Sequence, residues 1–232
     1  MVIFMAQDLQ FKMNKKTLPK AIIFDWDNTL VDTWPLINYS MNKMLKKMGH
    51  KEWSEEEVKS RTHLSMRDYF PDLFGDKWRE AGKVYVDAYH EKNLEKLEFL
   101  PNVLDLLDLL LEKNIKLYVV SNKRGSTLRE EAENFGVTDK FIKIVGSHDA
   151  VEDKPSKKVV DFALDNSNLN PKNDMIWFVG DSEVDLQCAI NSGCRPVLFG
   201  EGQAISEELK EKSLCFKNHK DLMKYIDQTL KN

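Results

Sequence analysis

The stretch "AIIFDWDNTLVDTW", residues 21–34, decides the fold, because an apolar run is followed at once by two carboxylates. The run "AIIF" is typical of a strand buried on both faces, whereas Asp25 and Asp27 would be costly to bury without partners. Both carboxylates are therefore expected just beyond the carboxyl end of the strand, which is where parallel sheets bind their ligands.

Similar apolar runs recur along the chain, with periodic or charged segments of helical length between them. They are "KLYVV" (116–120), "FIKIV" (141–145), "MIWFV" (175–179) and "RPVLF" (195–199). This alternation predicts βαβ units in a parallel sheet that is covered on both faces. The expected fold is α/β, a doubly wound parallel sheet whose core comprises residues 19–33 and 100–232.

Residues 34–99 break this alternation, because they contain no comparable strand and their apolar residues follow helical spacing. One stripe consists of Ile37, Met41, Met44, Leu45 and Met48, with Gly49 as its stop signal. Further helices are predicted at 55–61 and 77–93 within this segment, and at 103–113 where the chain returns to the core. The segment is expected to form an all-helical cap domain, inserted between the first two core strands, whose Met and aromatic side chains pack on one another.

The composition limits the classes of function that the chain can have. Of its 232 residues, 42% are hydrophobic, which is enough to build a sizeable core. The 34 basic and 38 acidic residues give a net charge of −4, which argues against a general nucleic-acid or membrane-surface binder. The sequence leaves the oligomeric state open.

The cysteines and the N-terminus bear on location. Cys188, Cys194 and Cys215 form no C-x-x-C pair, so the sequence favours reduced thiols, a cytoplasmic location and no zinc site. The opening "MVIFMA" is too short for a signal-peptide core or a membrane span. Residues 1–18 are expected to form a flexible extension, within which Met5 and Met13 are alternative translation starts.

Polar side chains follow the predicted strands at the points where these strands end. If the strands are parallel neighbours, six groups should meet at one sheet edge: the acids Asp25, Asp27, Asp181 and Asp185, the hydroxyl of Ser121 and the ammonium of Lys154. Four acids repel one another unless a cation lies among them, and an all-oxygen set suits a hard ion. Magnesium is the expected metal.

These residue types meet the needs of phosphoryl transfer. Asp25 would be the nucleophile and Asp27, two residues later, the acid and base. Ser121 and Lys154 would neutralise the phosphoryl oxygens.

Four short motifs carry a family resemblance. In order and spacing, "DWDNT" (25–29), "VVSN" (119–122), "DKP" (153–155) and "GDSEVD" (180–185) resemble the four motifs of the haloacid dehalogenase-like (HAD) superfamily. The match runs from about residue 20 to residue 200. The chain looks like the phosphoglycolate phosphatase and β-phosphoglucomutase branch, which has a helical cap between the first two motifs and a Rossmann-like core.

The resemblance implies a magnesium-dependent phosphatase that acts on a small phosphorylated metabolite. Asp25 would become an aspartyl phosphate, while Asp27 would protonate the departing oxygen and then activate water. Magnesium would be held by the carboxylates of Asp25 and Asp181 and the backbone carbonyl of Asp27, with Asp185 supporting that site.

The remaining candidates concern substrate binding. Ser121, Asn122 and Lys154 would grip the phosphoryl group, and Thr29 and Lys123 are further candidates. The cap segment "RTHLSMRDYF" (61–70) is expected to close over the leaving group. Arg67 in that segment would meet an anionic leaving group, as would Lys123 and Arg124, although an exposed helix arginine is an equal alternative for Arg67.

Several residues have simpler explanations, which the sequence leaves open. Asp185 fits a capping box with Ser182, with or without a metal role. Lys154 is of a type usually found solvated at the surface. The isolated His63 and His148 are expected to be structural or exposed. A calcium loop is excluded, because Leu30 and Leu36 stand where that loop needs Gly and Glu.

Three other functions are compatible with the same fold: dehalogenation, sugar-phosphate mutase activity and binding without catalysis. Dehalogenases lack an acid two residues after the nucleophile, so Asp27 favours phosphorus chemistry. A sugar-phosphate mutase shares Asp27, but such mutases resemble one another in a cap-linker histidine where this chain has Ile37. The third alternative is a non-catalytic binding module. The cap is expected to open and close about linkers near 33–35 and 99–102.

Overall fold

The computed structural model describes residues 18–62, 64–92, 97–200 and 205–230. The predictions for residues 1–17 and for His63 lie outside these ranges. Leu18, the last residue of the predicted extension, is partly buried and packs against the core. Among the described residues, no helix combines the length and the apolar character needed to cross a membrane.

A parallel sheet forms the centre of the structure. The strands in chain order are β1 (Ala21–Phe24), β2 (Val31–Asp32), β3 (Glu98–Phe99), β4 (Lys116–Arg124), β5 (Lys143–Ser147), β6 (Ile176–Gly180), β7 (Arg195–Phe199) and β8 (Leu214–Phe216). Six of them form the main sheet in the order β5-β4-β1-β6-β7-β8, and each neighbouring pair is parallel. The predicted sheet is confirmed.

The described residues form helices on both faces of this sheet and in the segment between β2 and β3. They are α1 (Trp34–Lys47), α2 (Glu55–Arg61), α3 (Met66–Phe74), α4 (Trp78–Glu91), α5 (Val103–Glu112), α6 (Gly125–Asn134), α7 (Lys157–Ala163), α8 (Glu183–Ser192), α9 (Glu207–Lys212) and α10 (His219–Leu230). Alternate β1 residues face opposite sides: Ile22 packs with α5, α6 and α10, and Ile23 packs with α7 and α8. The doubly wound architecture is therefore confirmed.

Helices α1–α4 form a helical insert with a hydrophobic cluster of its own. Met41, Met44 and Leu45 from the predicted stripe pack there against Phe70 and Val84. Two antiparallel strands join the insert to the core, since Val31 pairs with Phe99 and Asp32 with Glu98. This ribbon was not predicted, because a two-residue strand is too short to show periodicity.

The segment predicted to close over the leaving group is mostly helical. Its first residue, Arg61, ends α2, and residues 66–70 belong to α3. Ser65 precedes α3 with extended backbone and donates from its hydroxyl to Asp68 at 2.8 Å. The described part of the segment that lies outside the helices is therefore only residues 62, 64 and 65.

Candidate active site

The predicted polar residues meet at the carboxyl edge of the central strands. They line a cleft of about 120 Å³ between the sheet edge and helices α1, α3 and α4. The predicted residues in its lining are Asp25, Asp27, Ser121, Asn122, Lys123, Arg124, Lys154 and Asp181. Thr29, Arg67 and Asp185 do not line this cleft.

Asp25 follows β1 directly and is fixed at the sheet edge. Its backbone N–H donates to the carbonyl of Val179 on β6 at 2.8 Å. The carboxylate is buried, and Lys154 Nζ donates to its Oδ1 at 2.6 Å. Burial raises the pKa of Asp25 to about 7; Lys154 opposes this shift, and the nearby carboxylates of Asp185 and Asp27 add to it.

Lys154 is a buried residue of the site, so the alternative of a solvated surface lysine is wrong. Its ammonium lies 2.6 Å from Asp25 Oδ1 and 2.7 Å from Asp185 Oδ1. Burial by itself would lower the pKa of Lys154, but the two carboxylates raise it well above its usual value. The ammonium therefore stays charged between the two acids.

Asn122 fixes the loop that carries Lys154. The backbone N–H of Lys154 donates to Asn122 Oδ1 at 3.0 Å, and Asn122 Nδ2 donates to the carbonyl of Lys154 at 3.2 Å. This reciprocal pair joins the end of β4 to the "DKP" loop. Asn122 thus has a clear structural role, and its predicted contact with a phosphoryl group stays a prediction.

Three carboxylates lie close enough to share a metal ion. Asp25, Asp181 and Asp185 each offer an oxygen, and these atoms lie within 4.8 Å of one another. Burial, together with the charges of Asp185 and then Asp25, raises the pKa of Asp181 well above its usual value. A cation among the three carboxylates would offset their mutual repulsion. A set of oxygen ligands alone fits Mg²⁺.

Asp185 is held in place by contacts on both oxygens. Its Oδ2 accepts from the backbone N–H of Ser182 at 3.0 Å and from the Ser182 hydroxyl at 2.5 Å, while Lys154 contacts Oδ1. The capping interaction at the start of α8 is thus present together with the contact to Lys154. The capping role of Asp185 is therefore observed, and its metal role stays a prediction.

The glycine of "GDSEVD" makes room for this carboxylate. A Cβ atom at Gly180 would lie 2.3 Å from Cγ of Asp185, far inside van der Waals contact. Thr29 supports the same corner, because it is fully buried and its hydroxyl donates to Asp181 Oδ1 at 3.5 Å. The structure places Thr29 behind Asp181, and its predicted substrate contact stays a prediction.

Lys123 is engaged by two carboxylates. Its ammonium lies 2.6 Å from Asp27 Oδ1 and 2.7 Å from Glu131 Oε2. Its predicted role as a substrate ligand stays untested, and these contacts give it another role beside Asp27. Sequence reasoning missed Glu131, although its spacing from Leu128 on α6 and from Phe135 directly after that helix places it on a buried face.

Asn28 is a second residue that sequence reasoning missed. Its φ is 58°, a conformation that asparagine tolerates better than most residues. Its Oδ1 accepts from the backbone N–H groups of Thr33 and Trp34 at 3.2 and 3.1 Å. Asn28 therefore links the Asp25–Asp27 loop to the linker that begins α1.

Arg67 contacts the core, outside the cleft. Its Nε donates to Asp153 Oδ2 at 2.6 Å and a terminal nitrogen donates to Oδ1 at 2.5 Å. Asp153 is buried in the "DKP" loop. The guanidinium thus joins α3 to the loop of Lys154, and the predicted contact with a leaving group stays untested.

The other sequence-based expectations concern His148 and the cysteines. His148 is exposed, as one of the alternatives foresaw. Cys188 and Cys194 are buried and Cys215 is exposed, and all three are free. Burial raises the pKa of the Cys188 thiol, which disfavours its thiolate form.

Comparison with known proteins gives one consistent family. The haloacid dehalogenase-like hydrolase model matches residues 22–199. A phosphoglycolate phosphatase of Chromobacterium violaceum is 29% identical over 206 residues, covering 85% of this chain and 91% of the relative. One from Aquifex aeolicus is 28% identical over 183 residues, covering 77% of this chain and 84% of the relative.

Solved structures agree with this assignment. A HAD-superfamily hydrolase from Ehrlichia chaffeensis is 34% identical, with a TM-score of 0.61, and the match covers 91% of this chain and 98% of that one. A predicted phosphoglycolate phosphatase from Haemophilus somnus is 25% identical, with a TM-score of 0.76 and coverage of 90% and 99%. The chain therefore belongs to the haloacid dehalogenase-like hydrolase family.

Proposed function

We propose that the chain is a magnesium-dependent phosphatase that hydrolyses a small phosphomonoester through an aspartyl phosphate on Asp25. The observation that carries the proposal is the position of Asp25. This residue is buried at the end of β1, lines the cleft, and lies in contact with Lys154 and close to Asp181 and Asp185. Phosphatase activity also follows from the hydrolase family and from relatives named as phosphoglycolate phosphatases.

Each predicted catalytic residue has a position suited to its role. The Asp25 carboxylate would attack phosphorus, forming a P–O bond to Asp25 as the bond to the leaving oxygen breaks. The departing oxygen would take a proton from Asp27, which would then accept a proton from the attacking water. Ser121 and Lys154 line the cleft beside Asp25 and would offset charge on the phosphoryl oxygens.

The acid cluster provides the metal site. We propose that Asp25, Asp181 and the backbone carbonyl of Asp27 hold Mg²⁺, with Asp185 supporting the site. When bound, Mg²⁺ supplies positive charge against the phosphoryl oxygens and against the cluster itself. A donor set of oxygens alone supports this choice.

The cap side of the cleft bears on the substrate. Its lining is apolar and aromatic, with Trp34, Ile37, Met41, Phe70 and Tyr85 among its residues. We propose a small phosphoglycolate-like or sugar-phosphate substrate, whose leaving group would lie against this wall. The free cysteines support a cytoplasmic location for this reaction.

The mutase alternative is disfavoured by one residue. Ile37 lies in the cleft lining, where the branch mutases resemble one another in a histidine, and its side chain offers no proton donor or acceptor. Hydrolysis is therefore preferred over transfer of the phosphoryl group back to the sugar.

The test is phosphate release from a panel of phosphorylated metabolites, with magnesium and with excess chelator. We expect magnesium-dependent release that Asp25→Asn lowers by at least about a thousandfold. Release that survives this substitution would contradict the proposal. A sugar-phosphate isomer without free phosphate would favour the mutase, and complete inactivity would favour the binding module.

A further inference from the structure

The carboxylate of Glu131 collects hydrogen bonds from three separate parts of the protein. Trp26 Nε1, in the loop after β1, donates to Oε2 at 2.7 Å. The Tyr89 hydroxyl, on α4, donates to Oε1 at 2.7 Å. Lys123, at the end of β4, donates to both oxygens at 2.7 and 2.9 Å. Glu131 is fully buried, so these partners hold its charge in one geometry.

Lys123 passes this arrangement on to the cleft. Its ammonium contacts Glu131 and the Tyr89 oxygen, the latter at 2.8 Å, and it lies 2.6 Å from Asp27 Oδ1. With three partners, the ammonium has a fixed position. Lys123 therefore connects Glu131 to Asp27, the predicted acid and base of the reaction.

Trp26 ties the same network to the nucleophile loop. It lies between Asp25 and Asp27 in sequence, is fully buried, and donates its indole N–H to Glu131. The loop and the ammonium that contacts Asp27 are thus both positioned by one carboxylate on α6.

We infer that Glu131 is a positioning residue for proton transfer by Asp27, acting through Lys123 and Trp26. Tyr89 brings the cap into this arrangement, because its hydroxyl bonds Glu131 and accepts from Lys123. The network is complete only when α4 lies against the core, so seating of the cap and placement of Asp27 are linked. The inference rests on the proposed phosphatase activity.

This role has a chemical signature that a merely structural role lacks. As the P–O bond breaks, a poor leaving group must take up the proton of Asp27, whereas a leaving group that is stable as an anion needs it much less. Misplacing Asp27 should therefore slow poor leaving groups selectively. The value of kcat/KM reports this step even where hydrolysis of the aspartyl phosphate limits kcat.

The experiment compares benzyl phosphate, which has a poor leaving group, with p-nitrophenyl phosphate, which has a good one of similar shape. For Glu131→Gln we expect kcat/KM to fall about 10- to 100-fold with benzyl phosphate and only a few-fold with p-nitrophenyl phosphate. Glu133→Gln, at an exposed position of the same helix, should leave both values unchanged. Equal losses on both substrates would overturn the inference.

Tyr89→Phe is the second variant, since it keeps the ring and removes only the hydroxyl. In this variant too, kcat/KM should fall more with benzyl phosphate than with p-nitrophenyl phosphate, although by a smaller factor than in Glu131→Gln. Its thermal unfolding midpoint should be close to that of the wild type. If Glu131→Gln does not fold, an unchanged substrate ratio in folded Tyr89→Phe overturns the inference. A wild type that hydrolyses neither substrate would contradict the proposed function instead.

Discussion

Asp185 can occupy its place in the acid cluster only because Gly180 has no side chain. The Asp185 carboxylate cannot simply swing away from an added methyl group, because Lys154 and Ser182 hold both of its oxygens. The carbon at this position would sit 2.3 Å from Cγ of Asp185. A residue without a side chain thus helps to determine the geometry of the proposed metal site.

Gly180→Ala is therefore expected to destabilise the protein by about 1–3 kcal/mol and to weaken magnesium binding. Isothermal titration calorimetry with Mg²⁺ and thermal unfolding measure the two effects. Gly82→Ala is the matched control, since no atom lies within 4 Å of its added carbon and it sits inside α4. That control should be neutral or stabilising by about 0.5–1 kcal/mol; an equally mild Gly180→Ala would refute the packing argument.

The shifted pKa of Asp25 predicts how stability depends on pH in the metal-free protein. Its pKa rises from 3.8 to about 7 on folding, chiefly through burial, so the folded state binds more protons between these values. This contribution to the free energy of unfolding is complete below about pH 4 and is lost as pH rises through 7. Asp25→Asn should therefore make the free energy of unfolding less dependent on pH over this range.

Thermal unfolding in chelator from pH 5 to pH 8 measures this effect. The midpoint should fall with rising pH, and added magnesium should restore more stability at pH 8 than at pH 5, because deprotonated carboxylates bind the ion. A midpoint that rises steadily over this range, with Asp25→Asn behaving like wild type, would contradict the assignment.

At the scale of elements, the ion pair of Arg67 and Asp153 joins the helical insert to the core. Arg67 on α3 binds Asp153 with two hydrogen bonds and also contacts the carbonyl of Ala150 at 3.4 Å. Asp153 is buried and Arg67 is mostly buried, so the pair is poorly screened by solvent. The pair therefore favours the arrangement in which α3 lies on the "DKP" loop.

A double-mutant cycle of Arg67→Ala and Asp153→Ala should show a coupling of about 1–3 kcal/mol in the free energy of unfolding. Chemical denaturation measures it, and kcat and KM of each variant show whether loosening this contact affects turnover. If the coupling is near zero and Arg67→Ala raises KM alone, the guanidinium serves the substrate, as the sequence suggested.

The elements differ in how well their sequence predicted them. Each of the five apolar runs overlaps a strand of the sheet, because parallel strands buried on both faces are apolar. The two-residue strands β2 and β3 and the short β8 carry too few residues for a pattern. Glu131 was missed for a different reason: its buried charge depends on partners 8, 42 and 105 residues away, which local spacing does not reveal.

At the scale of the whole molecule, the sheet edge and the cap form one reaction chamber. The core supplies the carboxylates and Lys154, and the insert supplies an apolar wall, which we expect to limit water around them when the cap is closed. Both linkers run through the β2–β3 ribbon, near which His219 of α10 contacts the carbonyls of Thr29 and Pro101 at 2.8 and 3.0 Å. We expect cap motion to hinge at this ribbon.

The most direct test of the account is to trap a phosphoryl group on Asp25. In Asp27→Asn, a good leaving group such as p-nitrophenolate should still depart, whereas hydrolysis of the acyl phosphate should be slow. The measurement is mass spectrometry of this variant, quenched in acid after mixing with p-nitrophenyl phosphate and magnesium. We predict one added phosphoryl group on the peptide that contains Asp25; an unmodified peptide, from a variant whose wild type releases phosphate, would contradict the aspartyl-phosphate route.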